Sequence, residues 1–379
     1  MAGKTKKDKE AGEKGKMNID EIRSMLNKKA GTETCFDLEE ESPTEVDQYI
    51  STGSHVLDCL LIRGKKAGFP VSKISYVNSL SSAGKSFAMC CLCAEAQKMG
   101  IRVAYFDSEN ALDPQFLKKA GANIAEILYI QATSIEYVFE TIEELLSTND
   151  QWLFILDSYA ACPCKAETAG GYNPQESVAL KPRITGLGLK KLTIPIANKK
   201  ATLVVTNHLI TNIVMSQDMN ARVDAMLDPF IAPGGKNLQY YSSLTLNLTG
   251  KKNKASFLTN ESGHVIGTET KVKIKKSRFG TLNREIMVKL VWGEDKVRFA
   301  DEESWFDILK ESGDITTSTT GWSTLTYEDG AEKKFHAATI LKELEDPKFK
   351  NRIMQQVEKY LIDDFADAAV DATKYYSAE

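Results

Sequence analysis

Between residues 74 and 206 the chain alternates short, nearly continuous apolar runs with longer stretches whose apolar positions recur at helical spacing. Ile74–Val77, Arg102–Phe106, Ile127–Ile130, Trp152–Leu156 and Leu203–Thr206 have the length and the branched or aromatic content of strands. Lys85–Met99, Ser134–Leu146 and Pro182–Asn198 read as the helices between them. Strands with no alternating polar side are buried on both faces, so this order predicts an α/β fold with a parallel sheet covered by helices. Ser243–Leu248, Glu269–Lys275 and Ile286–Leu290 follow as antiparallel strands extending it. Ala161–Lys181 and Leu209–Gly235 fall outside the pattern, and loops of that length in a compact domain are commonly functional.

The flanks are patterned differently. Residues 1–17 are mostly Lys, Gly and Glu with little to bury, and read as a disordered basic tail. Asn18-Ile19-Asp20-Glu21 has the form of a capping box, and Ile19, Ile22, Met25 and Leu26 make a stripe on the helix it opens. The acidic linker Asp37–Asp47 cuts this helix off, so the stripe must dock on the chain's own core or on a neighbouring subunit. After residue 300 a small α/β unit runs to Tyr360, ending in a helix with Ile353, Val357 and Tyr360 on one side. Leu361–Glu379 carries five acids against Lys374 and reads as a frayed acidic tail.

Candidate chemistry sits where the strands end. Ile74–Val77 runs into Ser79-Leu80-Ser81-Ser82-Ala83-Gly84-Lys85-Ser86, a P-loop with Ser79 in place of its first Gly. There the turn amides and the positive end of the helix receive phosphates, Lys85 adds a charge, and the Ser86 hydroxyl suits Mg²⁺. A left-handed conformation at Ser79 would be less accessible than at Gly, which predicts altered turn geometry. Other apolar strands end in Asp107-Ser108-Glu109, Asp157-Ser158 and Asn207-His208, and the second of these is like a Walker B carboxylate that supports Mg²⁺.

Composition narrows the classes. Hydrophobic content of 42% and charged content of 26% describe a globular protein, and a net charge of −4 does not advertise nucleic-acid binding. No apolar run is long enough for a membrane helix and the Lys-rich start lacks a secretory apolar segment, so a cytoplasmic protein is expected. Cys90, Cys91 and Cys93, and Cys162 with Cys164, lack zinc-like spacing and read as reduced, buried thiols.

Taken together, the order of these segments resembles the RecA family of DNA-strand-exchange recombinases, bacterial RecA and the phage UvsX type, over about residues 18 to 360. The carriers are Ile50-Ser51-Thr52-Gly53-Ser54 with Leu57-Asp58, and Phe106-Asp107-Ser108-Glu109-Asn110-Ala111-Leu112-Asp113-Pro114. Gly234-Gly235-Lys236-Asn237-Leu238 with Tyr240-Tyr241-Ser242, Gly267–Lys273 and Gly321-Trp322 extend the likeness. It implies a RecA-like P-loop core over residues 49–300 with a mixed, mainly parallel sheet and two DNA-binding loops. An N-terminal polymerisation helix and linker over 18–48 and a small C-terminal α/β domain over 301–360 complete the expected architecture.

The resemblance also implies roles. ATP and Mg²⁺ would be held by Ser79, Ser82, Ala83, Gly84, Lys85, Ser86 and Phe87, with Asp157 on the metal. Asp113, Phe116 and Asn207 would border the nucleotide, Phe116 by stacking on its base. Glu109 would orient or deprotonate the attacking water, and His208, where many members have Gln, would sense the γ-phosphate. Lys276 and Arg278 would reach the neighbouring subunit's ATP as catalytic cations. DNA would meet Lys165, Arg183, Asn212, Ile213, Met215, Arg222, Gly234, Gly235 and Lys236, although Leu209–Pro233 holds three acids, Asp218, Asp224 and Asp228, against Arg222.

The implied activity is DNA-stimulated ATP hydrolysis coupled to strand exchange. Its implied partners are single- and double-stranded DNA, a homo-oligomeric helical filament, and single-strand-binding and loading proteins. Ser79 and the acidic loop motivate one alternative, a RecA-fold regulatory ATPase that binds nucleotide but not DNA; a second is a filament-forming structural protein without turnover.

Overall fold

The computed structural model describes residues 17–31, 33–40, 42, 44–169, 179–212, 219–250, 256–260, 262–293, 296–318, 320–336 and 339–365. Residues 1–16 and 366–379, which hold most of the two expected tails, lie outside the described residues, as do Ile213 and Met215. The chain divides into residues 1–45 and residues 46–379.

In the first unit the helix Ile19–Ala30 starts at the expected box, where Glu21 Oε2 accepts from the Asn18 amide at 3.0 Å. Gly31, at φ 69°, ends it in the left-handed conformation that Gly adopts without a Cβ penalty. No residue of this helix is buried, and Ile19, Met25 and Leu26 are exposed.

The second unit is built on a sheet of ten strands among the described residues. From one edge the order is Arg298–Phe299, Glu285–Val291, Val265–Ser277, Leu244–Gly250, Ile74–Ser79, Thr202–His208, Trp152–Asp157, Arg102–Asp107 and Ile127–Gln131, with Phe257–Thr259 beside Val265–Ser277. The run from Leu244–Gly250 to Ile127–Gln131 is parallel throughout. The pattern makes Ser243–Leu248 an antiparallel strand, yet the strand that forms there, Leu244–Gly250, is parallel to Ile74–Ser79 and antiparallel only to Val265–Ser277. It is the strand at which the sheet changes sense, and direction depends on a partner remote in sequence.

Both faces are covered, as fully apolar strands require. On one, the helix Lys85–Lys98 buries Met89, Cys90, Leu92 and Cys93. On the other, Ile135–Leu146 and Leu180–Asn198 bury Val138, Phe139, Ile142, Leu189 and Leu192. Gly188 lets the last two helices approach, since a Cβ there would come within 2.2 Å of the Phe139 ring. The cysteines are free thiols, and burial pushes Cys59 and Cys162 up to about 12. A third apolar cluster joins Trp305, Phe335, Phe349, Ile353 and Val357 to Val56 and Cys59. No described helix is long and apolar enough to cross a membrane.

The two irregular stretches contain short elements that their length concealed. Lys165–Ala169 and Met219–Leu227 are helices, and Ile210–Thr211 pairs with Phe230–Ile231 as a ribbon closing the second loop at its base.

Candidate nucleotide site and loop region

Four parallel strands deliver the site. Ile74–Ser79 leads into the P-loop, and the strands ending at Asp107, Asp157 and His208 bring their carboxyl ends to the same crevice, where open α/β sheets bind ligands. The turn explains why Ser79 can stand for Gly. Ser79 is buried as the last residue of its strand and registers with His208, while the left-handed residues are Ser82, at φ 61°, and Gly84, at φ 86°. The predicted distortion at Ser79 is therefore absent. Gly84 is the position that favours glycine, because its φ of 86° is strained for a residue with a Cβ, which would also have to displace Leu290 Cδ1.

Around the turn the charged groups interlock. Lys85 Nζ lies 2.8 Å from Asp157 Oδ1 and 3.4 Å from Glu109 Oε1. Asp157 also accepts from Tyr105 OH at 2.8 Å, Ser86 Oγ at 3.0 Å and Thr206 Oγ1 at 2.7 Å. Burial works against its charge, but Lys85 and the Thr206 and Tyr105 hydroxyls outweigh it and hold the carboxyl below its ordinary range. Glu109 Oε1 takes the Ser158 hydroxyl and His208 Nε2, the latter at 2.8 Å. Burial raises Glu109, and Ser158, Lys85 and His208 together bring it below the usual value.

Buried Asp107 holds the segment that presents Glu109, accepting from the amides of Glu109, Ala111 and Leu112 at 3.0 Å each. Asn207 is fully buried, donates to Tyr76 OH at 2.6 Å and Pro233 O at 2.8 Å, and accepts from the His208 amide. It thus joins the nucleotide strand to the end of the second loop. The Ser86 hydroxyl beside the Asp157 carboxylate is an oxygen pair of the kind Mg²⁺ takes, and the donors at the helix start suit phosphate.

An aromatic group borders this turn. Phe87 stacks on Trp292 with centroids 4.7 Å apart and planes 4° from parallel, and meets Phe116 edge-on at 4.7 Å. All three are half-buried. Asp113, exposed, caps the helix Pro114–Lys119 that carries Phe116. Trp292 escaped the sequence reading: it follows an ordinary strand, and only packing puts it on Phe87.

The remaining candidates are more dispersed. Lys276 Nζ donates to Gln239 O at 2.6 Å and Tyr240 O at 2.9 Å, closing the C-terminal end of the helix Asn237–Tyr241. Burial and nearby Arg278 lower its pKa. Arg278 is exposed. Lys165 is paired with Glu140 at 2.9 Å; Arg183, Arg222, Gly235 and Lys236 are exposed. Asn212 binds Asp228 O and Pro229 O across the loop base. Gly234, at φ 100°, lies against Tyr159, whose ring a Cβ would strike at 2.1 Å. Asp228 is paired with Lys275 at 2.8 Å, so one acid of the second loop is neutralised within the chain. Met219, Val223, Met226 and Leu227 leave an apolar side of that loop's helix exposed.

One other group of ligating types, His55, Cys59 and Glu358, lies close together. Lys66 stands 2.6 Å from Glu358, and Trp305 Nε1 donates to His55 Nδ1 at 3.2 Å, so the group is a cation-balanced junction rather than a metal cage.

Comparison with known proteins returns matches along most of the chain. Residues 17–296 match the model of the RecA N-terminal domain. The chain is 30% identical over 321 residues to Protein RecA of Streptococcus agalactiae, covering 83% of this chain and 80% of that protein. It is 28% identical over 346 residues to Protein RecA of Halalkalibacterium halodurans, covering 91% and 92% respectively.

Proposed function

Because the chain belongs to the RecA family, we propose that it is an ATP-dependent recombinase that forms helical filaments on single-stranded DNA and pairs it with a homologous duplex. The observation that carries this is the convergence of Lys85, Glu109, Asp157 and His208, from four strand ends, on one phosphate-binding turn. ATP phosphates would lie at the start of the helix Lys85–Lys98, received by its amides and by Lys85. Ser86 and Asp157 would hold Mg²⁺, which neutralises phosphate charge when bound. Trp292, Phe87 and Phe116 would face the base, Glu109 would orient the attacking water, and His208 would meet the γ-phosphate.

Arg278 and Lys276 are proposed to complete the site of the adjacent subunit, which makes assembly a condition of turnover. The unburied stripe of Ile19, Met25 and Leu26 suits docking on a neighbouring copy, and a head-to-tail contact that does not close builds a helix. Residues 49–300 are proposed as the ATPase core and 301–360 as its C-terminal domain, in a protein that works with DNA in the cytoplasm.

Measuring ATP hydrolysis with and without single-stranded DNA, alongside electron microscopy of the same mixtures, tests the proposal. Stimulation by DNA and nucleoprotein filaments are expected. Turnover indifferent to DNA would leave the regulatory ATPase, which the acids of the second loop favour.

A further inference from the structure

We propose that Ser158 is a positioning residue: its hydroxyl anchors Oε1 of Glu109 and so leaves Oε2 as the oxygen presented to the attacking water. The inference rests on the ATPase reading of this site and deepens it by assigning the two carboxylate oxygens different tasks. Three donors reach Glu109, namely Ser158 Oγ, His208 Nε2 and Lys85 Nζ, and all three address Oε1. Among the described residues none reaches Oε2. A carboxylate held through one oxygen has a fixed plane and a free acceptor, which is what a group that orients water needs.

Of the three donors, Ser158 is the one with no competing task. Lys85 lies closer to Asp157 than to Glu109, at 2.8 Å against 3.4 Å, and both Lys85 and His208 are the groups assigned to phosphate. The Ser158 hydroxyl has Glu109 as its one hydrogen-bond partner among the described residues, and the residue is fully buried. Its backbone is clamped as well. The Ser158 amide donates to Ser108 Oγ at 2.9 Å, and Ser108 Oγ donates to Ser158 O at 2.7 Å. The Ser108 amide donates to Asp157 O at 2.9 Å, so the ends of two neighbouring strands are locked together beneath the carboxylate. Once nucleotide draws Lys85 and His208 away, Ser158 remains to hold Oε1.

The test is a double-mutant cycle on DNA-stimulated hydrolysis. Ser158→Ala is expected to lower kcat about tenfold, the rate equivalent of one hydrogen bond to a charged group, with KM for ATP unchanged. In a Glu109→Gln background the same substitution is expected to cost nothing further, and Ser108→Ala to give a smaller loss than Ser158→Ala. Should Ser158→Ala not fold, Ser158→Cys, slightly larger and only a weak donor, carries the same comparison. If Glu109→Gln leaves hydrolysis intact, the assignment of Glu109 itself falls. If Glu109→Gln is impaired but Ser158→Ala loses as much in that background as in the parent, or raises KM alone, the positioning role is overturned.

Discussion

His208 Nε2 lies 2.8 Å from Glu109 Oε1, so the residue assigned to sense the γ-phosphate is bonded directly to the carboxylate assigned to the water. Removing the carboxylate charge with Glu109→Gln should cut hydrolysis by about 100-fold or more while ATP binding persists. Fluorescent-nucleotide titration beside a phosphate-release assay separates the two, and joint loss would make Glu109 a structural residue. The pair also sets a pH dependence. Burial raises Glu109, but Ser158, Lys85 and His208 bring it below the ordinary Glu value, so it stays ionised to lower pH than a free carboxyl. His208→Ala removes one of the lowering contacts, and the acid limb of the kcat/KM profile, which reports the free enzyme, should then move to higher pH.

Lys276 and Arg278 should act across subunits. Arg278→Ala subunits and Lys85→Ala subunits should each be inactive alone, and mixing them should restore part of the turnover by forming some interfaces with both intact halves. Arg278 is the cleaner probe, because Lys276 also closes the helix Asn237–Tyr241 of its own chain. Absence of any rescue would place these cations in their own subunit's site.

The Lys275–Asp228 ion pair predicts how the second loop meets DNA. Asp228→Asn removes a loop acid and frees Lys275, so single-stranded DNA should bind more tightly. The slope of log affinity against log salt should steepen by about 0.7, one additional phosphate contact. Fluorescence anisotropy over a salt series reads both quantities, and an unchanged slope would show that Lys275 does not face DNA.

Trp292 should matter for ATP affinity more than for chemistry. Aromatic stacking on a base is worth about 1–3 kcal/mol, so Trp292→Ala should raise KM for ATP by about 5-fold to about 150-fold with a smaller change in kcat. An unaltered KM would leave the Phe87–Trp292 stack a packing feature only.

Much of this arrangement was legible from the chain because buried strands advertise their polar ends. Asp157, Glu109 and His208 each follow an apolar run, and the structure brings Asp157 and Glu109 to Lys85 and His208 to Glu109. What was not legible depends on partners far away in sequence. The direction of Leu244–Gly250 is set by Ile74–Ser79, and Trp292 acquires its setting from Phe87. Ser79 looked like a defect because the motif gives an order of residues and no dihedral angles; the positive φ falls at Ser82 and Gly84 instead. The net charge of the second loop likewise hid the pairing of Asp228 with a strand some 50 positions on.

Asn207 spans Tyr76, Pro233 and the His208 amide from one buried amide group. The end of the second loop and the strand beneath the nucleotide therefore cannot be displaced independently without breaking a hydrogen bond of 2.6–2.9 Å. Linkage then imposes a symmetry on any such displacement: the factor by which a ligand at the loop changes ATP affinity must equal the factor by which ATP changes affinity for that ligand. In an Asn207→Ala protein both factors should fall together toward one, its two sites having become thermodynamically deaf to each other.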